Sequence, residues 1–503
     1  MKRFVLFIAL TLVQVSLMMG QWTSPGNGTV YSLRDLAEVS DGCVTYEENL
    51  NAYLIHADLT ISPNDRLEVV LEDFGEIDAD AVAILCEGDI LITVKGSFWV
   101  NPSEELDVYI EPRENNHLSM RLEQCTGPCL FANTKFFYLS GIQVINSEVT
   151  FDDCLFQSFD MQYSTGAIHY ENCSPTLKNC IFQGNYGSAI NFGVNTKGSP
   201  QIFGCEFRYN VLSYLDMPQV DLGPGADDTI RIINSKVIGL YPLEGGISVS
   251  DTMDISSSKV LLQNNHIAHN RYGYHQQGNR IDALIIDNEI ECNCIDPDPV
   301  NSCSGICIHG ASHDCKATIR HNLIEGNLYG VTVLDKAVVD MGTAENPGNN
   351  ILYDNHNSGQ GTDQAYALYV KGVNDVSAVG NYWGGSTEEF AESVIYHRPD
   401  LGEDHGLVTY SPILTQNNWE VEEEQALPTS VYPNPTRGWV TLQMEEADGF
   451  EYEVFNIQGQ QVMRGHAEGS ETMIDLGPLP SGIYLVALKA KQQAKPTYQR
   501  IVR

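Results

Sequence analysis

Apolar and polar residues alternate in short runs along the middle of the chain, and one nine-residue phrase keeps returning. It reads LKNCIFQGN from Leu177, LQNNHIAHN from Leu262, IIDNEIECN from Ile285 and IRHNLIEGN from Ile319, with a looser copy, IFGCEFRYN, from Ile202. Superposed, the phrases place Cys180, Cys205, Asn265, Asn288 and Asn322 in one column, with Cys154, Ser235 and Asn350 as looser members. Five residues on, Asn185, Asn210, Asn270, Asn293 and Asn327 form a second column, which Asn355 extends. Successive members of the first column lie 23 to 34 residues apart. A period in that range marks stacked units, none of which buries its apolar face alone. Between the columns, apolar residues such as Ile319 and Ile324 flank polar ones, and a β-branched run, Gly330-Val331-Thr332-Val333, follows. This is the pattern of strands, not of an amphipathic helix.

A strand that recurs once per turn, with asparagine in register, predicts an all-β chain wound as a parallel β-solenoid. Each Asn side chain offers two N–H donors and a carbonyl, so stacked asparagines can bond to one another and to the backbone of the corner. Cysteine, small and polarisable, suits the same corner where packing is more apolar. The pattern resembles that of right-handed parallel β-helix proteins. The expected structural ladder runs through Cys154, Cys180, Cys205, Asn265, Asn288 and Asn322.

Strand-like runs carry the solenoid toward the amino terminus: LEVVL from Leu67, ILITV from Ile90, LFANTKFFYL from Leu130 and GIQVI from Gly141. The solenoid is placed at residues 54–415. About 11 to 14 coils, at ~4.8 Å each, make a rod of roughly 50–65 Å. Residues 21–53, with Ser32 as a cap before LRDLAEV, are expected to lid the first coil. Met217–Thr229 and Cys292–Cys303, rich in Pro, Asp and Gly, read as loops leaving the rod. The phrase Asn381-Tyr382-Trp383-Gly384-Gly385, followed by Ser411-Pro412, is similar to the closing coil of bacterial β-helix proteins, where a large ring caps the core.

Composition changes the picture in three ways. A net charge of −38 over 503 residues leaves no basic footprint, so nucleic acid is not an expected partner. Met1-Lys2-Arg3, the apolar FVLFIALTLVQV and the small Gly20 read as a secretory signal peptide over residues 1–20. Thr11, Gln14 and Ser16 interrupt the apolar run, which argues against a membrane anchor. Thirteen cysteines, all before Lys316, would be free to oxidise in an exported chain, and an odd count leaves one unpaired or paired between molecules. Cys154, Cys180 and Cys205 are expected to stay reduced. Cys125 with Cys129, and some of Cys292, Cys294, Cys303, Cys307 and Cys315, are the expected disulfide partners, with connectivity open.

After an acidic linker over residues 416–430 the composition shifts, and residues 431–503 read as short alternating strands joined by Pro, Asn and Gly turns, a small antiparallel sandwich. The phrases SVYPNPTRGWVTLQM, YEVFNIQGQQVMRG, IDLGPLPSGIYLVALKA and YQRIVR closely resemble the type A C-terminal sorting domain of the type IX secretion system of Bacteroidota-like bacteria. Pro433, Asn434, Pro435, Gly438, Gly459, Gly482 and Tyr484 carry the sorting motifs. The resemblance implies passage across the inner membrane, folding in the periplasm and export through the outer membrane. It also implies as partners the type IX machinery and a sortase-like peptidase that removes the domain. The cargo is then secreted, or joined to lipopolysaccharide on the outer surface of the outer membrane.

Candidate chemistry is thinner. Asp227-Asp228 matches the adjacent acids of polygalacturonases, but no Asn-Thr-Asp, Gly-His-Gly or Arg-x-Lys accompanies it, and neighbours on a strand face opposite ways. Arg271, Arg280, Lys316 and Arg320, near Asp282, Asp287 and Glu289, offer the base and the Ca²⁺ ligands a uronate lyase needs, without a lyase signature phrase. Cys307, His309, His313 and Cys315 could supply Zn²⁺ ligands, and His266, His269 and His275 form a second histidine group. The metal stays open, Ca²⁺ being possible, and no other cofactor is expected. Tyr272, Tyr274 and His275, with Gln276, make an aromatic and amide-rich strip of the kind that stacks on sugar rings. The sequence therefore points to a secreted or cell-surface, non-catalytic glycan- or surface-binding protein. The alternative is a polysaccharide lyase or glycoside hydrolase acting on an acidic glycan.

Overall fold

The computed structural model describes residues 21–70, 73, 81–100, 107–113, 116–162, 165–213, 215–295, 304–356, 364–417, 419, 429–434, 436, 438–444, 447–456, 461–490 and 497–503. Residues 1–20, where a signal peptide is expected, and Cys303, Pro435 and Gly459 lie outside them. Three long sheets form the solenoid. The first runs from Trp22–Thr23 to Ile395–Tyr396 and has 14 strands. The second runs from Val30–Tyr31 to Val408–Thr409, also 14, and the third from Val44–Glu47 to Ile351–Tyr353, with 13. The chain visits the sheets in that order on each coil, and neighbouring coils pair in parallel, as Ile319 does with Ile285. One hairpin, Val44–Glu47 with Ala52–Ile55, pairs antiparallel at the start.

The corners explain the sequence columns. Between the second and third sheets the chain turns on one residue with positive φ: Asn179, Asn234, Asn264, Asp287, His321 and Asn349 sit at φ of 50–57°. Asn and Asp tolerate this left-handed region better than other side chains because they bond locally to the backbone. The next residue points inward as a rung. Asn265 Nδ2 donates to Asn288 Oδ1 (2.9 Å), Asn288 to Asn322 (2.9 Å), Asn322 to Asn350 (3.0 Å) and Asn350 to Asn381 (2.8 Å). Upstream, the Cys154, Cys180 and Cys205 thiols donate to backbone carbonyls at the same corner.

The corner from the third sheet to the first carries the second ladder. Asn185 donates to Asn210 (2.7 Å), Asn270 to Asn293 (3.1 Å), Asn293 to Asn327 (3.0 Å) and Asn327 to Asn355 (3.0 Å). One coil lacks an asparagine here, having Leu240 instead. Gln219, fully buried, fills the gap: its Oε1 accepts from Asn210 (2.7 Å) and its Nε2 donates to Asn270 (3.0 Å).

Inside, each row is continued by like residues. Phe136, Phe156, Phe182 and Phe207 stack with centroids 5.1, 4.3 and 5.0 Å apart. Flat rings at the rung spacing gain dispersion along the whole stack and exclude water.

Three expectations are corrected here. Residues 21–53 are not a separate lid, because Trp22–Thr23 and Val30–Tyr31 are already strands of the first coil. Only the helix Leu33–Val39, capped reciprocally by Ser32 and Asp35, covers the end, burying Leu33 and Leu36. Met217–Thr229 does not leave the rod as a whole: Met217–Leu222 is a strand of the first sheet. LFANTKFFYL is strand, as expected, in two pieces, Cys129–Ala132 and Thr134–Phe137, hinged on Asn133 at φ 45°. The Cys129 thiol donates to Cys125 Sγ at 3.9 Å without a disulfide between them, and Cys292, Cys294, Cys307 and Cys315 are likewise free thiols.

At the far end Trp383 is 1% exposed, and the helix Glu388–Val394 buries Ala391 and Val394 against the last coil. Residues 429–503 form an antiparallel sandwich of a three-stranded and a four-stranded sheet around Val440, Leu442, Val454, Val486 and Leu488. No helix of the described residues is long and apolar enough to cross a membrane.

Candidate ligand-binding face

Parallel register converts the first sheet's outward positions into straight rows. One row reads Asp221, Ser248, His275, Cys307, Thr332, Tyr369 and Tyr396, one residue per coil. Ser248 and Thr332 in this row are buried, and Asp221, His275 and Cys307 are partly covered. Burial raises Asp221 to about 6, lowers His275 to about 4 with help from His309 and Arg271, and pushes the Cys307 thiol up to about 12. Glu244, fully buried beside this row, is raised to about 7 by burial, although the N–H groups of Leu240 and Tyr241 donate to it. Perturbed groups on one face mark a functional candidate.

Its carboxyl-terminal end is aromatic. Tyr329, Tyr366, Tyr369 and Tyr396, on the last coils of the first sheet, are half-buried and in mutual contact. Their centroids stand 4.9 Å (Tyr329–Tyr366), 5.5 Å (Tyr329–Tyr369), 5.8 Å (Tyr366–Tyr369) and 4.7 Å (Tyr366–Tyr396) apart. Burial raises the Tyr366 and Tyr396 hydroxyls, and Asp400 adds to the rise at Tyr396. These phenols therefore stay protonated and can both donate and accept hydrogen bonds. Four rings with polar rims on a stiff sheet offer flat apolar faces and hydrogen-bonding edges at once.

The sequence-selected residues fall elsewhere. Tyr274 is fully buried with its hydroxyl donating to Gln276 Oε1 (3.2 Å), and Tyr272 is 5% exposed beneath Arg271, so this strip presents no stacking surface. His275 faces outward and meets the edge of Tyr272 at 5.5 Å. The proposed zinc quartet does not converge: His309 bonds Asp335 (2.7 Å), His313 faces Asn374 (3.2 Å), and Cys315 is buried in the core beside Gln276 (3.2 Å). Asp227 and Asp228 lie in an exposed turn, with Asp228 paired to Arg231. The four lyase cations are each engaged by a carboxylate: Arg271 by Asp216, Arg280 by Asp254, Lys316 by Asp314 and Arg320 by Asp340. Lys316 and Arg320 stand at the two ends of one strand of the second sheet, Lys316–Arg320, whereas Arg271 and Arg280 lie in the connections on either side of the strand Tyr274–Gly278.

The described sorting-motif residues gather around the terminal strand Thr497–Val502. Asn434 Oδ1 accepts from Val502 N (2.8 Å), Gly482 exchanges two backbone bonds of 2.9 Å with Arg503, and the Tyr484 hydroxyl donates to Pro480 O (2.6 Å). Gly438 N donates to Thr436 Oγ1 (3.2 Å), whose backbone N–H in turn reaches Val502 O (2.7 Å).

Residues 430–503 match the family of secretion system C-terminal sorting domains, and residues 228–385 match a protein family of unknown function, DUF1565. No curated protein matches the chain. Among solved structures, a mutant of the periplasmic alginate epimerase AlgG is similar at a TM-score of 0.43 and 12% identity, over 76% of this chain and 84% of that one. The receptor binding domain of the Siphovirus 9NA tailspike is similar at a TM-score of 0.28 and 11% identity, over 90% and 94%. The sorting domain indicates export by type IX secretion to the cell surface or beyond. The chain is a parallel β-helix protein that carries a secretion-system C-terminal sorting domain.

Proposed function

We propose that this exported β-helix is a glycan-binding protein that holds sugar rings on the tyrosine platform of its first sheet. The observation that carries the proposal is the contact cluster of Tyr329, Tyr366, Tyr369 and Tyr396 on consecutive coils of one face. The apolar face of a pyranose stacks on such rings, while its hydroxyls bond to the phenol rims. A rigid sheet loses little entropy on binding, which favours affinity from few contacts. Charge narrows the ligand. The chain carries −38 overall, and Asp400 lies close enough to Tyr396 to shift it, so a neutral or amino sugar fits better than a uronate.

Nothing in the arrangement of cations favours the lyase alternative, since Arg271, Arg280, Lys316 and Arg320 are each neutralised locally. After export a sortase-like peptidase removes the sorting domain, and the solenoid presents its first sheet outside the cell. A glycan array probed with the full chain tests this. Retention on neutral or amino-sugar glycans is expected; binding confined to uronates, or none at all, would contradict it.

A further inference from the structure

A second cluster stands on the outer face of the third sheet, away from the tyrosines. His266 lies directly opposite Glu289 in parallel register, and Glu291 lies between Ala268 on one side and Glu325 on the other. The His266 Nε2 is 2.9 Å from Glu291 Oε1. One ligand atom from each of His266, Glu289 and Glu291 lies within 4.8 Å of the other two. Donors on one tetrahedral ion with bonds near 2.1 Å sit roughly 3.4 Å apart, so small side-chain rotations close the gap.

A separate observation concerns Glu325. Its Oε2 is shut off from solvent with no amine, amide or hydroxyl donor on it, and the side chain with which this carboxyl can share a hydrogen bond, Glu291, is itself an acid. Its partner across the rung is Glu291, another carboxylate, and among the described residues no lysine or arginine pairs with either. A closed-off carboxylate oxygen without a donor is costly. A cation seated between the two rungs would satisfy both groups.

We propose that His266, Glu289 and Glu291, with Glu325 as a fourth ligand, bind a divalent transition-metal ion. An imidazole among carboxylates favours zinc or its first-row neighbours. Calcium, which takes about six to eight oxygens, finds too few here. The ion would clamp three adjacent coils and, by binding only the folded chain, stabilise them.

Calorimetric titration of the full chain, stripped with EDTA and then given ZnCl₂, tests the site. The expected result is one saturable site that weakens more than about tenfold in His266→Ala and in Glu291→Gln, given that even outer-shell partners are worth that much. His309→Ala, at the His309–Asp335 pair, should leave it unchanged. Circular dichroism checks folding, and Glu289→Gln replaces any variant that does not fold. The absence of saturable zinc binding would overturn the proposal, as would equal affinity in wild type and the His266→Ala/Glu291→Gln double variant. Loss in His309→Ala alone would also overturn it.

Discussion

The Asn288 side chain donates to Leu262 O, Ile286 O and Asn322 Oδ1, and accepts from both the backbone and side-chain nitrogens of Asn265. Truncation strands several buried groups at once. At ~1–3 kcal/mol per orphaned group, Asn288→Ala should cost about 3–5 kcal/mol. The neighbouring Asn264, a left-handed corner residue at φ 54°, is worth less; Asn264→Ala should cost ~1–2 kcal/mol. Denaturant midpoints of the two variants check the ranking, and equal losses would deny the ladder its role. Residue chemistry also sets a pH response. Burial raises Asp221 from 3.8 to about 6 and Glu244 from 4.5 to about 7, so the folded chain holds these protons more tightly than the unfolded one. Their contribution to stability is complete below pH ~4 and is lost as pH rises through about 6 and 7. His275, lowered from 6.5 to about 4, acts in the opposite sense: its contribution is complete above 6.5 and is lost as pH falls through 4. Asp221→Asn should therefore gain on the order of 1–2 kcal/mol over wild type at pH 7, allowing for partial exposure, and nothing below pH 4. Thermal melts at the two pH values measure it. Rungs such as Asn265 and Asn322 can be read from sequence because identical residues recur in register; the charge shifts cannot, because they depend on what covers each group.

At the scale of elements, the same period-two logic that exposes the strands also explains the misplaced aromatic strip. Alternation on a strand sends Tyr274 and Gln276 into the core and His275 outward, so adjacent aromatic letters never form one face. The tyrosine platform was hidden for the converse reason. Successive members stand 37, 3 and 27 positions apart in sequence, and only the parallel register of the last coils, Val331 beside Leu368 and Tyr369 beside Tyr396, brings them together. Gln219 was hidden too, because it enters the second ladder from a strand of the first sheet where the corner itself has Leu240. This repair makes a sharp prediction. Gln219→Leu leaves Asn210 Nδ2 and Asn270 Oδ1 without each other's bridge and should cost ~2–4 kcal/mol, seen as a lowered unfolding midpoint. A cost below that of Asn264→Ala would mean that the gap needs no bridge.

For the whole molecule, the division into a wound rod and a small sandwich follows from two different patterns, a long-period repeat and a run of Gly- and Pro-punctuated alternation. The sandwich binds its own last strand through Asn434, so Asn434→Ala should loosen it by ~1 kcal/mol while leaving the solenoid's melting unchanged. In cells, removal of residues 430–503 should leave the solenoid inside the envelope, as cell fractionation would show. The function proposed rests on the other end of the account, the aromatic face. The most direct measurement is affinity electrophoresis of the full chain through gels cast with neutral polysaccharides, wild type beside a Tyr366→Ala/Tyr369→Ala/Tyr396→Ala variant. Retardation of the wild type, with the folded variant running free, is the outcome expected. Equal retardation of both, or of neither across a broad panel, would contradict the proposal that this face binds glycan.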